Sequence, residues 1–232
     1  MKTILTLILA FVSFGLCIES ANAKKTGKVY DDSIFVDTRL EYEFRVPEGW
    51  NIKTQKDKGD NYNYERVVVV KKNYKVNRTV RQLHGDFTIP TVTVFADSTS
   101  KTVEEYSRYL LDNLKKVTSK DEILLSTQLL EDTELLDSFM VDYNGIISKR
   151  LQLKNSYKRF LDTSRRDVNW QRDGGVKLIQ DFNIIDIVIF KKNDWIIMMY
   201  AVCEREFYQL NRKAFVQIFN SMDLSSDYVK ED

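Results

Sequence analysis

The chain has few of the residues that most directly carry chemistry. Of its 232 residues, one is histidine, two are cysteine, two are proline and eight are glycine. With His84 alone, multi-histidine metal sites are excluded and a histidine-dependent nucleophile has one candidate. That residue sits in Leu83-His84-Gly85-Asp86, a polar stretch that reads as an exposed turn. A phosphate-cradling loop is also missing, because the pair Gly174-Gly175 has no accompanying lysine and marks a turn. Asp57 and Asp60, in DKGDNYN, lack the closing bidentate glutamate of a calcium loop and read as a hairpin connection. No cofactor and no metal site is therefore expected.

Charge of one sign is lacking too. The formal net charge is +1, far from the basic excess of a dedicated nucleic-acid binder. Nothing resembles a linker or a repeat. The one long apolar run, Ile4 to Ile18, follows Lys2 and precedes Ala21-Asn22-Ala23, the small-x-small pattern of a signal-peptidase site. The run is shorter than the roughly 20 residues needed to span a bilayer, and no later charge-free segment is that long. The reading is an export signal over 1–23 and a soluble domain over 24–232, periplasmic or extracellular. Cys17 follows the bulky Leu16 where a lipid-attachment site needs a small residue. Cleavage after Ala23 leaves Cys203 alone, so no intramolecular disulfide forms and stability rests on a hydrophobic core.

What is present is strand and helix periodicity. Leu40, Tyr42, Phe44 and Val46 alternate with Glu41, Glu43 and Arg45, predicting a half-exposed strand. Pro47 and Gly49 then predict a reversal, a hairpin that returns Trp50 and Ile52 to the same apolar face. Val67–Val70 and Thr91–Ala96 read as further strands. Thr102 and Glu105 have capping-box spacing, and Val103, Tyr106, Leu110, Leu114 and Val117 recur at helical intervals, predicting a helix over about 102–118. Ile123–Leu130, Glu134–Tyr143 and Ile146–Leu153 read as strands around turns at Glu131-Asp132 and Asn144-Gly145. Tyr157, Phe160, Leu161 and Val168 fit a short amphipathic helix within 156–175.

Asn183 to Cys203 is the most apolar part of the domain, interrupted only by Lys191-Lys192-Asn193-Asp194, and predicts a second hairpin. Trp195, Ile197, Met199, Ala201 and Cys203 fall on one face and Ile196, Met198, Tyr200 and Val202 on the other, so both faces require cover. A closing helix over about 207–221, with Asn211, Phe215, Ile218, Phe219 and Met222 near one stripe, supplies cover for one of them. The simplest solution is an α+β fold, a mainly antiparallel sheet in a three-layer α/β/α sandwich.

The segments YEFRVPEGW (42–50), TVEEYSRYLLDNL (102–114), DWIIMMYAV (194–202) and FVQIFNSMDL (215–224) resemble the PsbP-like family. That family comprises the extrinsic photosystem protein, DcrB-type bacterial envelope proteins and a nuclear-import factor. The resemblance covers about 35–224 and implies the same sandwich. It implies no function, since members differ in their partners and the matching residues are structural. The length of 156–175 departs from compact members.

Two features bear on function. Asp186, within IIDIVIF, is a carboxylate in an apolar strand, so it requires a basic partner or a wet edge unless its pKa is shifted for general acid or base work. Charge is also segregated: Asp121 to Asp142 holds seven acids, and Lys149 to Arg172 holds eight basic residues. Either neighbouring strands pair these charges, or Lys154, Lys158, Arg159, Arg165 and Arg166, interleaved with Tyr157, Phe160 and Trp170, form an attachment surface. The expectation is a non-catalytic exported protein that binds or scaffolds an envelope protein or an anionic envelope component, not nucleic acid. The alternatives are a hydrolase using Asp186 with a second acid and a small-ligand carrier with an apolar pocket between sheet and helix. Cys203, in an apolar strand, reads as an inert core thiol.

Overall fold

Alternating apolar residues, above all in the second half of the chain, produce long strands. The computed structural model describes residues 25–56, 65–74, 88–113, 133–162 and 176–225, and for 158–162 and 176–179 the backbone alone. The first strands are β1 (Gly27–Tyr30), β2 (Ile34–Asp37), β3 (Tyr42–Arg45), β4 (Trp50–Thr54), β5 (Glu65–Lys71) and β6 (Thr91–Ser98). Helix α1 (Val103–Asn113) is followed by β7 (Thr133–Tyr143), β8 (Ile146–Asp162), β9 (Val176–Lys192), β10 (Trp195–Glu204) and helix α2 (Arg205–Asn220). One sheet has the order β4-β5-β6-β10-β9-β8-β7, and a smaller one the order β1-β2-β3. Every pairing is antiparallel. The α+β class and the antiparallel sheet are as the periodicity predicts.

The β9–β10 hairpin is the centre. It turns at Asn193, whose φ of 50° the asparagine tolerates, and β10 pairs with β9 on one side and β6 on the other. Ile197, Met199, Ala201 and Cys203 pack with Val188, Phe190 and the α2 residues Phe215, Ile218 and Phe219. Ile196, Met198 and Tyr200 pack with Ile185, Ile187, Ile189 and the α1 residues Tyr106 and Leu110. Each fully buried side chain of this size contributes roughly 1.5–3 kcal/mol, so the doubly apolar strand is the main stabilising element.

The helices start as their sequences dictate. Thr102 N donates to Glu105 Oε2 at 2.8 Å and Glu105 N to Thr102 Oγ1 at 3.2 Å, the reciprocal capping box. Glu204 precedes α2 without a side-chain cap, and its Oε1 instead accepts from Thr88 N at 2.8 Å. Asn211 lies in the buried stripe of α2. Its Nδ2 donates to Phe207 O at 2.8 Å and its Oδ1 accepts from Lys71 Nζ at 2.6 Å, so the amide is satisfied where it is buried.

Two expectations are corrected. The stretch YEFRVPEGW is no hairpin: β3 pairs with β2 and β4 pairs with β5, so the Pro47–Gly49 corner passes the chain from the small sheet to the large one. Gly49 has φ 85°, which only glycine adopts readily. Trp50 and Ile52 do share a core with Tyr42 and Phe44, but across two sheets. Glu43, predicted exposed, is buried, and its backbone exchanges hydrogen bonds of 2.9 Å with Asp223. The second correction is that 156–162 continue β8 in place of a helix, because β9 is equally long and pairs with them from Ser156↔Phe182 to Asp162↔Val176. The signal segment, Asp57, Asp60, His84, Leu114–Asp132 with its predicted strand, and 163–175 lie outside the described residues.

Candidate functional site

Asp186 is fully buried on the α2 face of β9. Its neighbours in the sheet place a base against it. Arg150 Nη2 donates to Oδ2 at 2.9 Å, and Gln152 Nε2 donates to Oδ1 at 3.1 Å. From α2, Tyr208 Oη donates to Oδ2 at 2.6 Å, and Gln152 Nε2 reaches the same tyrosine oxygen at 2.9 Å. Burial works against the Arg150 charge, but the Asp186 carboxylate together with Tyr143 and Tyr208 raises the guanidinium pKa on balance. Tyr208 is pushed well above its usual range by burial and by its bond to Asp186, which keeps its proton in place. Of the basic partner or wet edge foreseen for Asp186, the structure shows the partner, Arg150, and this network contains a single carboxylate. It fastens α2 to the sheet.

A second buried ion pair carries no sequence expectation. Arg66 on β5 meets Asp37 on β2, Nε to Oδ2 at 2.7 Å and Nη2 to Oδ1 at 2.9 Å, with both side chains buried. Asp37 Oδ1 also accepts from the backbone N–H of Arg39 at 3.0 Å and Leu40 at 2.9 Å. The pair joins the two sheets. Its signal was the one used for Asp186, a charged residue within an apolar strand, here Asp37 closing IFVD and Arg66 opening ERVVVV.

The basic residues divide. Lys154 lies on β8, its Nζ 2.9 Å from Glu134 Oε1 on β7 and 5.2 Å from the Phe182 ring centroid. Here neighbouring strands do pair their charges. Lys158 and Arg159 occupy β8 opposite Gln180 and Ile179. Arg165, Arg166 and Trp170 lie outside the described residues, in the connection from β8 to β9. β7 reaches only Asn155 along β8, and β10 reaches only Asn183 along β9. Beyond these points the two strands pair with each other alone among the described strands, over Ser156–Asp162 and Val176–Phe182. At about 3.3 Å per residue these seven pairs extend roughly 23 Å along the strands, beginning against the core, where Asp181 is buried and Phe182 packs with the α2-side cluster.

A cavity of about 580 Å³ lies between β3, the β7–β8 turn and the end of α2, lined by Glu43, Arg45, Asn144, Ile146, Ser221 and Asp223 among others. It is partly polar and lies outside the sheet–helix interfaces where a carrier pocket was envisaged. Cys203 is a free, buried thiol, and burial pushes it up to about 12. No described helix is long and apolar enough to cross a membrane.

No protein-family model matches the chain, and no curated protein does. The solution structure of cyanobacterial PsbP (CyanoP) from Synechocystis superposes with a TM-score of 0.50 over 85% of this chain and 95% of that one, at 15% identity. The fold is PsbP-like. LpqN, involved in cell envelope biogenesis of Mycobacterium tuberculosis, aligns at 9% identity with a TM-score of 0.44, covering 86% of this chain and 88% of its own. A Pseudomonas aeruginosa protein of unknown function aligns at 9% identity with a TM-score of 0.41, covering 85% and 94%. The assignment rests on the cyanobacterial protein. Within the PsbP-like fold, the Asp186 network lies beneath α2, the Asp37–Arg66 pair between the sheets, and the basic ribbon beyond the core.

Proposed function

We propose that the chain is an exported, non-catalytic binding protein whose domain, 24–232, is a rigid three-layer α/β/α PsbP-like platform. Residues 1–23 serve as the export signal and are removed. The attachment surface is the ribbon and its connection, through Lys154, Lys158, Arg159, Arg165, Arg166 and Trp170. Its partner is an envelope protein or another anionic component of the envelope.

The extension of β8 and β9 beyond their other described partners carries this reading. A pair of strands alone is marginally stable in water, so extending β8 and β9 past the sheet is of little use to the core. In sequence this segment interleaves basic and aromatic residues, and amphipathic side chains of that kind suit a wet interface. The candidate chemistry in the core supports the same reading, since Asp186 is saturated by Arg150, Gln152 and Tyr208 and the Cys203 thiol is buried.

The test is sedimentation with an envelope fraction of the source organism at low and high salt. Replacing Arg159, Arg165 and Arg166 together by Glu should abolish salt-sensitive binding, with an unchanged melting temperature. Unchanged binding by the triple variant rejects the surface.

A further inference from the structure

The cavity of about 580 Å³ at the end of α2 has the size of a small-ligand site, and no residue of the Asp186 network or of the β8–β9 ribbon lines it. Its charged wall follows from strand register. After α2 the chain returns alongside β3: Glu43 and Asp223 form an antiparallel bridge, with backbone N–H to C=O bonds of 2.9 Å in both directions. Ser221 Oγ holds the next position, accepting from Arg45 N at 2.8 Å and lying 3.0 Å from Arg45 O. Directly opposed residues of an antiparallel pair project to the same face, and so do residues two apart on one strand. Glu43, Asp223 and Arg45 therefore share a face, and all three line the cavity.

Two carboxylates directly opposite one another repel, and a cation held between them removes that cost. Asp223 Oδ1 accepts from Ser225 N at 2.7 Å, which orients the group without neutralising it. Lys28, two strands away across Val36, and Lys192, whose Nζ donates to Glu41 O at 2.6 Å, do not line the cavity. Among the described residues no group of three or more acids, histidines or cysteines converges, so the pair is too small a ligand set for a metal centre. Arg45, one row along at roughly 7 Å by strand rise, has the complementary charge and a fork suited to a carboxylate. Ile146 and Leu224, both partly buried, supply an apolar wall. We propose that this cavity binds a free aliphatic α-amino acid, with its ammonium between Glu43 and Asp223, its carboxylate on Arg45 and its side chain against Ile146 and Leu224. The site is separate from the basic ribbon and does not depend on it.

The probe is free L-leucine, titrated into the full chain and followed by calorimetry and amide chemical shifts. It should bind saturably and shift the amides of Asn144, Ile146 and Leu224. Two analogues, 3-methylbutylamine without the carboxylate and 4-methylpentanoate without the ammonium, should each bind at least ~10-fold more weakly. Arg45→Gln should weaken leucine by a similar factor and leave the amine unchanged, and Asp223→Asn should weaken both; both residues are exposed, so the fold is retained. The variant with Arg159, Arg165 and Arg166 replaced by Glu should bind leucine as the parent does, which separates this site from the proposed attachment surface. Lack of saturable binding, equal affinity for the amine, an unaffected Arg45→Gln variant, or shifts located away from the cavity would each overturn the proposal.

Discussion

The two ends of the large sheet handle exposure in opposite ways. At the β4 end the edge strand has five residues, Trp50 is buried, and the approach is closed by β1 through Thr26 N to Gln55 O at 3.0 Å and a bridge between Lys25 and Lys56. Behind it, Asp37 and Arg66 tie the small sheet to the large one. At the β7 end the outermost described strand is twice as long and its apolar side chains face water. The charged groups of the first end join two sheets, and those of the second bond only to their own hairpin, Glu134 to Lys154 and Asp137 and Asp142 to nearby backbone N–H groups. An edge that is shielded, short and anchored resists further pairing, and one that is long and greasy invites it.

The largest expected effect breaks the closed end. Arg66→Ala leaves a buried carboxylate without its cation and should destabilise the fold by about 3–5 kcal/mol, read from urea denaturation. Combining Asp37→Leu with Arg66→Met should recover much of the loss, because a packed apolar pair avoids the desolvation penalty. Nearer the open end, Asp186→Asn should have a smaller effect, roughly 2 kcal/mol, since Arg150 is partly exposed and the amide still accepts from Tyr208.

Two glycines sharpen the comparison. Gly49 at the closed end and Gly145 at the open end have φ of 85° and 87°, and an added Cβ meets nothing within 4 Å at either. Gly49→Ala and Gly145→Ala should each cost about 1 kcal/mol from backbone strain, the same at both ends within error. A large inequality would mean that backbone, and not side-chain exposure, distinguishes the ends. The smallest effect belongs to the open edge: Met140→Ser and Ile147→Ser should each change stability by less than about 0.5 kcal/mol. A loss above 1 kcal/mol would show that these side chains already serve the folded core.

Local periodicity announced much of this. The doubly apolar alternation of 195–203 specified a strand with two covered faces, Thr102 and Glu105 specified the start of α1, and Asn144-Gly145 specified the β7–β8 turn. Pairing was legible at the β7–β8 and β9–β10 hairpins but not between strands distant in sequence, because a period of two says that a strand exists and not which strand lies beside it. For that reason the Pro47–Gly49 corner read as a hairpin, although it joins two sheets. The ribbon was misread for a related cause: Tyr157, Phe160 and Leu161 fit helical spacing, while the deciding contacts are with Asp181, Leu178 and Lys177, well beyond local range on β9. Asp186 was legible as a buried acid in need of a base. Arg150 was not, since its place opposite follows from the β8–β9 register.

The solitary thiol of the described residues lies near the end of β10, buried just before the chain enters α2. With ionisation deferred to about pH 12, roughly one thiol in ten thousand is reactive at pH 8 even before access is considered. A thiol reagent therefore modifies Cys203 only when the end of β10 separates from α2, and the labelling rate becomes a stopwatch for that opening, needing no engineered reporter.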